Sequence, residues 1–255
     1  MLRLYRIDHG HNGTPMYAGE REGKWRLIEG DIFGSYREGP EIAHEGLRLL
    51  PPVIPSKIVC VGLNYKDHAA EQHKPLPAEP LLFIKPSTAV VGPGAAILLP
   101  PGVGRVDHEA ELGVVIGRRA HRVKRGDAWA YILGLTCVND VTARDLQNKE
   151  SQYTRCKGFD TFAPIGPCIA TGLNGEPRTV EGWVNGQRRQ ASSTAHLIFP
   201  IDQLVEFITF VMTLEPGDII STGTPAGIGS LNPGDTVTVK VEGVGELTNV
   251  VKNES

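Results

Sequence analysis

The acidic side chains most able to do chemistry in this sequence lie in the stretch RVDHEAELGVVIG, residues 105–117. Apolar residues alternate there with Glu109 and Glu111, and Asp107 is in phase with both. Because successive side chains of a strand point to opposite faces, the three carboxylates would share one face. On a wet face they are simply hydrated, whereas on an enclosed face a proton or a cation must lie between them.

Three further groups of residues are candidates for a functional role: Asp140, the pair His68 and Glu71, and Lys157. Asp140 ends the apolar stretch YILGLTCVND, where it could be a metal ligand or, as the position alone favours, the N-cap of the next helix. His68 and Glu71 lie three apart on a short predicted helix, either as a surface polar pair or as a base held in one tautomer by a carboxylate. Lys157 in RCKGFDTFAP is either a solvated loop lysine or a partly buried one. If it is partly buried, desolvation would lower its pKa.

A cluster of Glu109, Glu111 and Asp140 would be a hard oxygen site, because no Cys or His ligand accompanies these three carboxylates. Such a site suits Mg²⁺ or Mn²⁺ better than Zn²⁺. Three protein ligands would leave about three of six octahedral positions open to water or substrate. A metal with open positions can act as a Lewis acid.

The elements that must position these groups are mainly short strands between tight turns. The chain has 30 Gly and 19 Pro in 255 residues, about a fifth against roughly an eighth on average. Strands are predicted at residues 58–62, in LLFIKP, in AAILLP and in TVTVKVEG, and Asn-Gly in VNGQ predicts a hairpin. Helices are predicted at residues 64–73, in TARDLQNKE and after Pro200.

These elements predict a mixed α/β, β-rich fold with a few helices. We place a boundary at the proline-rich segment LLPPVIP, so that residues 1–53 form a small N-terminal segment and residues 54–255 the main domain. Residues 1–50 are charged and are predicted to be irregular, apart from a few short strands such as residues 24–28.

The bulk composition excludes several classes of protein. A net charge of −3 and a pI near 6.2 give no basic stripe for nucleic acid. The four cysteines are scattered without paired spacing, which fits a reducing, cytoplasmic compartment. The start MLRLYRIDHG lacks a secretory apolar region, and the most apolar stretch is short and cut by prolines, so no membrane association is predicted.

Six motifs together resemble the fumarylacetoacetate hydrolase family. They are VGLNYKDHAAE, FIKPSTAVVGPG, RVDHEAELGVVIG, GLTCVNDVTARDLQ, RCKGFDTFAPIGP and LEPGDIISTGTPAGIG. They follow the family's order and cover roughly residues 56–251, whereas the first 50 residues resemble the variable N-terminal segment of short bacterial members.

The resemblance implies a β-roll domain, a homodimer, and Mg²⁺ or Mn²⁺ held by Glu109, Glu111 and Asp140. It therefore favours Asp140 as a ligand over the N-cap interpretation. The same resemblance implies that His68 and Glu71 form a catalytic dyad on a mobile lid. It also implies that Lys157, Gln147 and Thr224 face the substrate, with Lys157 serving the chemistry as well.

The substrates that the resemblance implies are 2-oxo acids or their enols, such as acylpyruvates and oxaloacetate-like dicarboxylates. The matched His-x-x-Glu pair favours cleavage of a C–C bond, by hydrolysis or decarboxylation, through a stabilised enolate. The alternative is a 2-hydroxyhepta-2,4-diene-1,7-dioate isomerase, or a related isomerase, of aromatic catabolism. A more distant alternative is a non-catalytic metal-binding β-module, which would need the three acids but neither the dyad nor Lys157.

Overall fold

The structure is a computed structural model that describes residues 1–8 and 14–254, and strands dominate it. The strands are β1 (Arg3–Asp8), β2 (Met16–Arg21), β3 (Lys24–Gly30), β4 (Tyr36–Glu41), β5 (Arg48–Leu49), β6 (Lys57–Gly62), β7 (Leu81–Pro86), β8 (Val90–Val91), β9 (Ala96–Leu99), β10 (Val106–His108), β11 (Ala110–Ile116), β12 (Ile132–Asn139), β13 (Thr142–Ala143), β14 (Ala163–Ala170), β15 (Thr179–Val184), β16 (Gln187–Ser193), β17 (Ile219–Ser221), β18 (Gly229–Ser230), β19 (Thr236–Val241) and β20 (Gly245–Asn253).

The α-helices in the described residues are short, and only one of them exceeds two turns. The α-helices are α1 (Lys66–Glu71), α2 (Arg144–Lys149), α3 (Thr154–Lys157) and α4 (Ile201–Val211), and 3₁₀ turns lie at Ser87–Ala89, Arg125–Tyr131 and Thr194–His196. The predicted β-rich fold with a few helices is therefore confirmed.

A sheet of 12 strands forms the main layer of the fold. Its strand order is β4-β3-β2-β1-β14-β12-β11-β17-β6-β7, with β5 beside β1 and β8 beside β14. A five-stranded sheet, β16-β15-β19-β20-β9, packs on it, and β13-β10-β18 form a small third sheet. Most pairs are antiparallel, but β6 pairs with β17 in parallel register, which brings the chain before α1 beside the chain after β17.

The N-terminal segment is more regular than its sequence predicts. Strands β1 to β5 all lie within residues 1–53, and β1 pairs with β14 in the large sheet. Charged residues interrupt the apolar alternation by which a strand is predicted. They are common on these strands because β4, for example, is exposed along most of its length. The division of the chain between residues 53 and 54 stays a prediction.

Apolar cores cover both faces of the large sheet. Alternate residues of β11 belong to different cores: Leu112 and Val114 pack with the five-stranded sheet and with Leu204 of α4, whereas Val115 packs on the other face. A strand buried on both faces has no wet side. Every residue of β11 is accordingly buried, including Glu111.

Local predictions differ from the structure at three places. The strand predicted over residues 105–117 is divided, since Glu109 lies between β10 and β11. The helix predicted over residues 64–73 is confined to α1, where His73 ends the turn with a φ of 53°. The hairpin at Asn185 and Gly186 is confirmed, because both residues have positive φ angles as a type I′ turn requires.

Candidate active site

One cavity of about 190 Å³ gathers most of the candidate residues. The residues around it are Val61, Gly62, Leu63, His68, Gln72, Lys74, Leu81, Phe83, Glu109, Glu111, Asp140, Arg144, Gln147, Tyr153, Lys157 and Thr224. This volume is small beside the 300–1,000 Å³ that is usual for drug-sized ligands, so the space suits a small metabolite.

The three carboxylates predicted as metal ligands come together. Ligand oxygens of Glu109, Glu111 and Asp140 all lie within 4.8 Å of one another, and each residue is buried. The hydrated-face interpretation of the glutamate pair is therefore wrong: the exposed fractions of Glu109 and Glu111 are 5% and 2%. Asp107 is not a member of the cluster, because its carboxylate pairs with the guanidinium groups of Arg105 and Arg144.

Glu111 is held in place by the strand next to its own. It lies on β11, and its Oε2 accepts hydrogen bonds from the Ser221 hydroxyl at the end of β17 and from the Gly223 backbone N–H at 2.9 Å. Burial, followed by the negative charges of Asp140 and Glu109, raises the pKa of Glu111 to about 8. The side chain therefore holds a proton at neutral pH unless a cation takes the proton's place.

Glu109 occupies the break between two strands. Its backbone N–H donates to the Asn139 side chain, and its carbonyl accepts from the Asp140 N–H, so the break draws the chain ends of β10 and β12 together. The carboxylate accepts from Arg144 through Oε1 and from Lys157 through Oε2. Burial opposes the charged form, but these two cations outweigh burial and hold the pKa of Glu109 well below its usual range.

Asp140 does not cap a helix. The next helix, α2, begins at Arg144, and the residue at its N-cap position is Ala143. The Asp140 carboxylate instead accepts from the ammonium groups of Lys85 and Lys157. The position after a buried strand thus holds a member of the acidic cluster, and the stand-alone preference for an N-cap is wrong.

Lys157 is buried between two carboxylates. Its side chain is 2% exposed, and its ammonium lies 2.8 Å from Glu109 Oε2, beside Asp140 and 4.9 Å from the ring centre of Phe83. Desolvation lowers the pKa of Lys157, as the sequence predicts, but the charges of Asp140 and Glu109 outweigh it and raise that pKa above its usual value. Desolvation thus acts in the predicted direction, and the two carboxylates, which the sequence did not place beside Lys157, reverse the net effect on its pKa.

His68 and Glu71 form a hydrogen-bonded pair on α1. His68 Nδ1 lies 3.0 Å from Glu71 Oε2, and the other carboxylate oxygen accepts from the Gly227 N–H, also at 3.0 Å. The exposed fraction of the side chain is 6% for His68 and 41% for Glu71, so the histidine is buried whereas its partner reaches solvent. An ionised carboxylate only accepts, so Nδ1 carries the proton and Nε2 of the neutral ring is the basic nitrogen.

The two predicted substrate-facing residues also line the cavity. The Gln147 side chain accepts from Arg144, one turn before it on α2. The Thr224 hydroxyl donates to the Ala110 carbonyl at 3.0 Å and accepts from Gln190. Their side chains are thereby held in fixed positions at the cavity wall.

Sequence reasoning missed three polar residues at this site. Lys85 is fully buried against Asp140, although its strand LLFIKP was interpreted only as apolar. Arg144 bridges Glu109 and Asp107, and Gln72 contacts His68. One signal was available: Lys85 shares a strand face with Phe83, so a charged residue occupies an otherwise apolar position.

The family that the six motifs resemble also matches the chain directly. Residues 57–252 match the family described as fumarylacetoacetate (FAA) hydrolase C-terminal. The chain belongs to the fumarylacetoacetate hydrolase family. The match runs from the start of β6 into β20, and so includes all the residues of the cavity.

Proteins with assigned activities share this family fold. The chain is 41% identical over 225 residues to the mitochondrial oxaloacetate tautomerase FAHD2B of Bos taurus, a match that covers 83% of this chain and 72% of that relative. The crystal structure of 2-hydroxyhepta-2,4-diene-1,7-dioate isomerase from Mycobacterium marinum is similar with a TM-score of 0.92 and 41% identity, over 100% of both chains.

A second similar structure contains a metal ion. It is maleylpyruvate hydrolase from Sphingobium sp. SYK-6 in complex with manganese(II) and pyruvate, at a TM-score of 0.81 and 27% identity, covering 99% of this chain and 100% of that one. Fumarylacetoacetate hydrolase family members thus include a tautomerase, an isomerase and a hydrolase. The predicted family and its fold are confirmed. Separately, no helix in the described residues is long and apolar enough to cross a membrane.

Proposed function

We propose that this chain is a divalent-metal-dependent enzyme that moves a proton at the carbon beside the 2-oxo group of small 2-oxo dicarboxylates, interconverting their keto and enol forms. The observation that carries this proposal is the shared cavity. A buried cluster of three carboxylates and a histidine with a carboxylate partner line one space of about 190 Å³.

The acidic cluster fits a hard cation. Its three members offer only oxygen atoms within 4.8 Å of one another, and Mg²⁺ and Mn²⁺ prefer oxygen ligands. In the described part of the chain, Oε1 of Glu111 accepts no hydrogen bond, whereas Oε2 accepts two. Carboxylate oxygens have two lone pairs each, so Glu109 and Asp140 can keep their lysine contacts and still bind a cation.

A bound Mg²⁺ or Mn²⁺ would supply Lewis acidity, stabilising negative charge on the 2-oxygen of the substrate. His68 Nε2 takes the proton from C3, the C3–H electron pair forms the C2–C3 double bond, and the 2-oxygen gains the negative charge. Glu71 holds the ring in the tautomer that leaves Nε2 basic, and it stabilises the imidazolium that forms. Returning the proton to the 2-oxygen gives the enol.

Lys157 is suited to hold anionic charge rather than to accept protons. Its raised pKa keeps the ammonium charged at neutral pH, and its contacts with Glu109 and Asp140 fix it at the wall of the cavity. Arg144 places a second cation at the same wall. Both cations favour a substrate that carries negative charge.

The names of the relatives favour proton transfer over cleavage. An oxaloacetate tautomerase and a 2-hydroxyhepta-2,4-diene-1,7-dioate isomerase are each 41% identical to this chain, whereas a fumarylacetoacetate hydrolase is 31% identical and a maleylpyruvate hydrolase 27% identical. Cleavage of a C–C bond in acylpyruvates or oxaloacetate, which the sequence favours, stays a prediction and is the second candidate. It needs the same His68 and Glu71, with a water molecule as the added reactant for hydrolysis.

The test follows enol-form oxaloacetate in MgCl₂ by the loss of its ultraviolet absorbance, while released pyruvate is measured in the same samples. We expect the wild-type protein to accelerate ketonisation, and the His68→Ala variant to lose about 10²-fold or more of that rate while keeping its Mg²⁺ affinity. The exposed His121→Ala variant is the matched control, and it should keep the wild-type rate.

Three results would contradict the proposal. Unchanged turnover in His68→Ala would remove His68 from the mechanism. Rapid pyruvate release in step with substrate loss would favour the cleavage candidate. Mg²⁺ binding without turnover of oxaloacetate, acylpyruvates or hydroxymuconate-type dienoates would favour a non-catalytic metal-binding module.

A further inference from the structure

The basic nitrogen of His68 is already occupied in the structure. The amide nitrogen of Gln72 lies 2.8 Å from His68 Nε2, one helical turn along α1. An amide NH₂ group only donates, so it donates to the lone pair that proton transfer requires. Glu71 holds the other ring nitrogen, so neither nitrogen is free to receive a proton from a substrate.

The turn at Gln72 is held by backbone hydrogen bonds, and its side chain can move without a change in that turn. Gln72 is the C-cap of α1, and the turn after it is a Schellman motif. The Lys74 N–H donates to the Ala69 carbonyl at 3.0 Å, and the His73 N–H donates to the Ala70 carbonyl at 3.1 Å. Rotation of side-chain torsions alone can carry the Gln72 amide away from His68.

We propose that Gln72 gives up His68 only to substrates with a second carboxylate, because its amide then donates to that carboxylate. This inference rests on the proposed function. When C3 of a substrate meets Nε2, the group bonded to C3 lies one bond away, at the place that the Gln72 amide vacates. In a dicarboxylate such as oxaloacetate that group is a carboxylate, which accepts the displaced N–H and offsets the lost hydrogen bond.

Gln72 would therefore select the substrate class as well as shield the base. A 2-oxo monoacid must break the contact between Gln72 and His68 without forming another in its place, and breaking it costs part of its binding free energy. The ammonium-bearing side chain of Lys74 lines the same wall and adds positive charge for a distal carboxylate. Gln72 is thus a specificity-determining residue that contacts the far end of the substrate.

The experiment compares oxaloacetate with 2-oxobutanoate, which has the same four carbons but a methyl group in place of the distal carboxylate. Proton exchange at C3 is followed by NMR with the Mg²⁺-loaded protein, after subtraction of the uncatalysed rate. We expect Gln72→Met to lower kcat/KM for oxaloacetate by about 10- to 100-fold, mainly through KM, the range of a hydrogen bond to a charged group. The rate on 2-oxobutanoate should stay the same or rise, because the base is already free.

Two further variants sharpen the comparison. Gln72→Glu keeps the size of the side chain but brings a carboxylate that cannot donate, so the loss on oxaloacetate should exceed that of Gln72→Met. Gln187→Met makes the same replacement on an exposed hairpin and should leave both rates unchanged. If Gln72→Met lowers both rates in the same proportion, or lowers neither, the proposal is wrong.

A crystal structure with Mg²⁺ and 3,3-difluorooxaloacetate, which has no C3 hydrogen to lose, tests the same contact without turnover. We expect the Gln72 amide on the distal carboxylate and His68 Nε2 released. A Gln72 amide that remains on His68 beside the bound dicarboxylate would overturn the proposal. If the wild-type protein exchanges protons on neither acid, the proposed function fails, and this crystal structure still decides the role of Gln72.

Discussion

The replacement Lys157→Met tests whether one buried cation holds the acidic cluster together. The Lys157 ammonium bridges Glu109 and Asp140, and its side chain is 2% exposed. Removing one partner of a buried ion pair typically costs about 3–5 kcal/mol, because the remaining charge loses its partner. Since Arg144 and Lys85 still contact the two carboxylates, we expect a loss near the lower end, about 3 kcal/mol of unfolding free energy.

Magnesium should reverse much of this loss. Lys157 and a divalent cation would lie beside the same two carboxylates, and like unit charges about 4 Å apart repel by roughly 4 kcal/mol at an effective dielectric near 20. Removing the ammonium therefore removes a repulsion that opposes metal binding. We expect Lys157→Met to bind Mg²⁺ at least about 10-fold more tightly than the wild type, a change of roughly 1.4 kcal/mol.

The assay is urea unfolding in EDTA and in saturating MgCl₂, with Mg²⁺ affinity from calorimetry. The exposed Lys252→Met variant is the matched control and should follow the wild type in both conditions. The reasoning is refuted if Lys157→Met unfolds in EDTA with the wild-type free energy. It is also refuted if Mg²⁺ stabilises the variant no more than the wild-type protein, because the ammonium and the metal would then not share the carboxylates.

Three other predictions follow from named contacts. The pKa of Glu111 is raised to about 8, so Mg²⁺ must displace its proton at neutral pH. Calorimetry should therefore show proton release at pH 7, and the Mg²⁺ affinity should rise with pH and level off above pH 8. The buried Asp218 carboxylate accepts hydrogen bonds from the Lys57 ammonium, the Ser56 hydroxyl and the Glu215 backbone N–H. Burial alone would raise its pKa, but these contacts lower it. Asp218→Asn should cost about 2 kcal/mol at pH 7. A lowered pKa stabilises the fold only while the carboxylate is ionised. The difference in unfolding free energy between the wild type and Asp218→Asn should therefore shrink as the pH falls below about 4. An equal loss at pH 7 and below pH 4 would contradict this. If α1 lies on a mobile lid, proteases should cut near Lys74, and Mg²⁺ with substrate should suppress the cutting; cutting that both fail to slow would count against the lid.

The apolar spacing of single elements predicts much of the fold. Helix α4 begins after Pro200, as predicted. Its apolar spacing predicts a buried stripe of Ile201, Leu204, Val205, Ile208, Val211 and Met212; the first four are buried, whereas Val211 is exposed. The Asn185-Gly186 hairpin is also local, because a type I′ turn depends on two residues alone. The N-terminal strands were predicted poorly, because charged side chains interrupt their apolar pattern, although β1 pairs with the neighbouring β2 over five residue pairs and with the distant β14 over two.

The candidate site divides in the same way. The ligand chemistry could be predicted from the sequence, since the carboxylates of Glu109, Glu111 and Asp140 offer oxygen ligands in any fold. Their charge states were not readable, because those depend on burial and on cations from distant segments. Lys157 shows this, since its pKa is raised by two carboxylates that only the folded chain places beside it.

The sequence by itself determined the family, the β-rich character and the identities of the acidic residues and of the His68–Glu71 pair, because these depend on residue type and short spacing. Only the tertiary structure decided that the glutamates have no wet face and that Lys85 and Arg144 join the cluster. It also decided that Gln72 occupies the basic nitrogen of His68. The physical reason is that burial and partner charges are set by strand pairing across the whole chain, which local spacing does not encode.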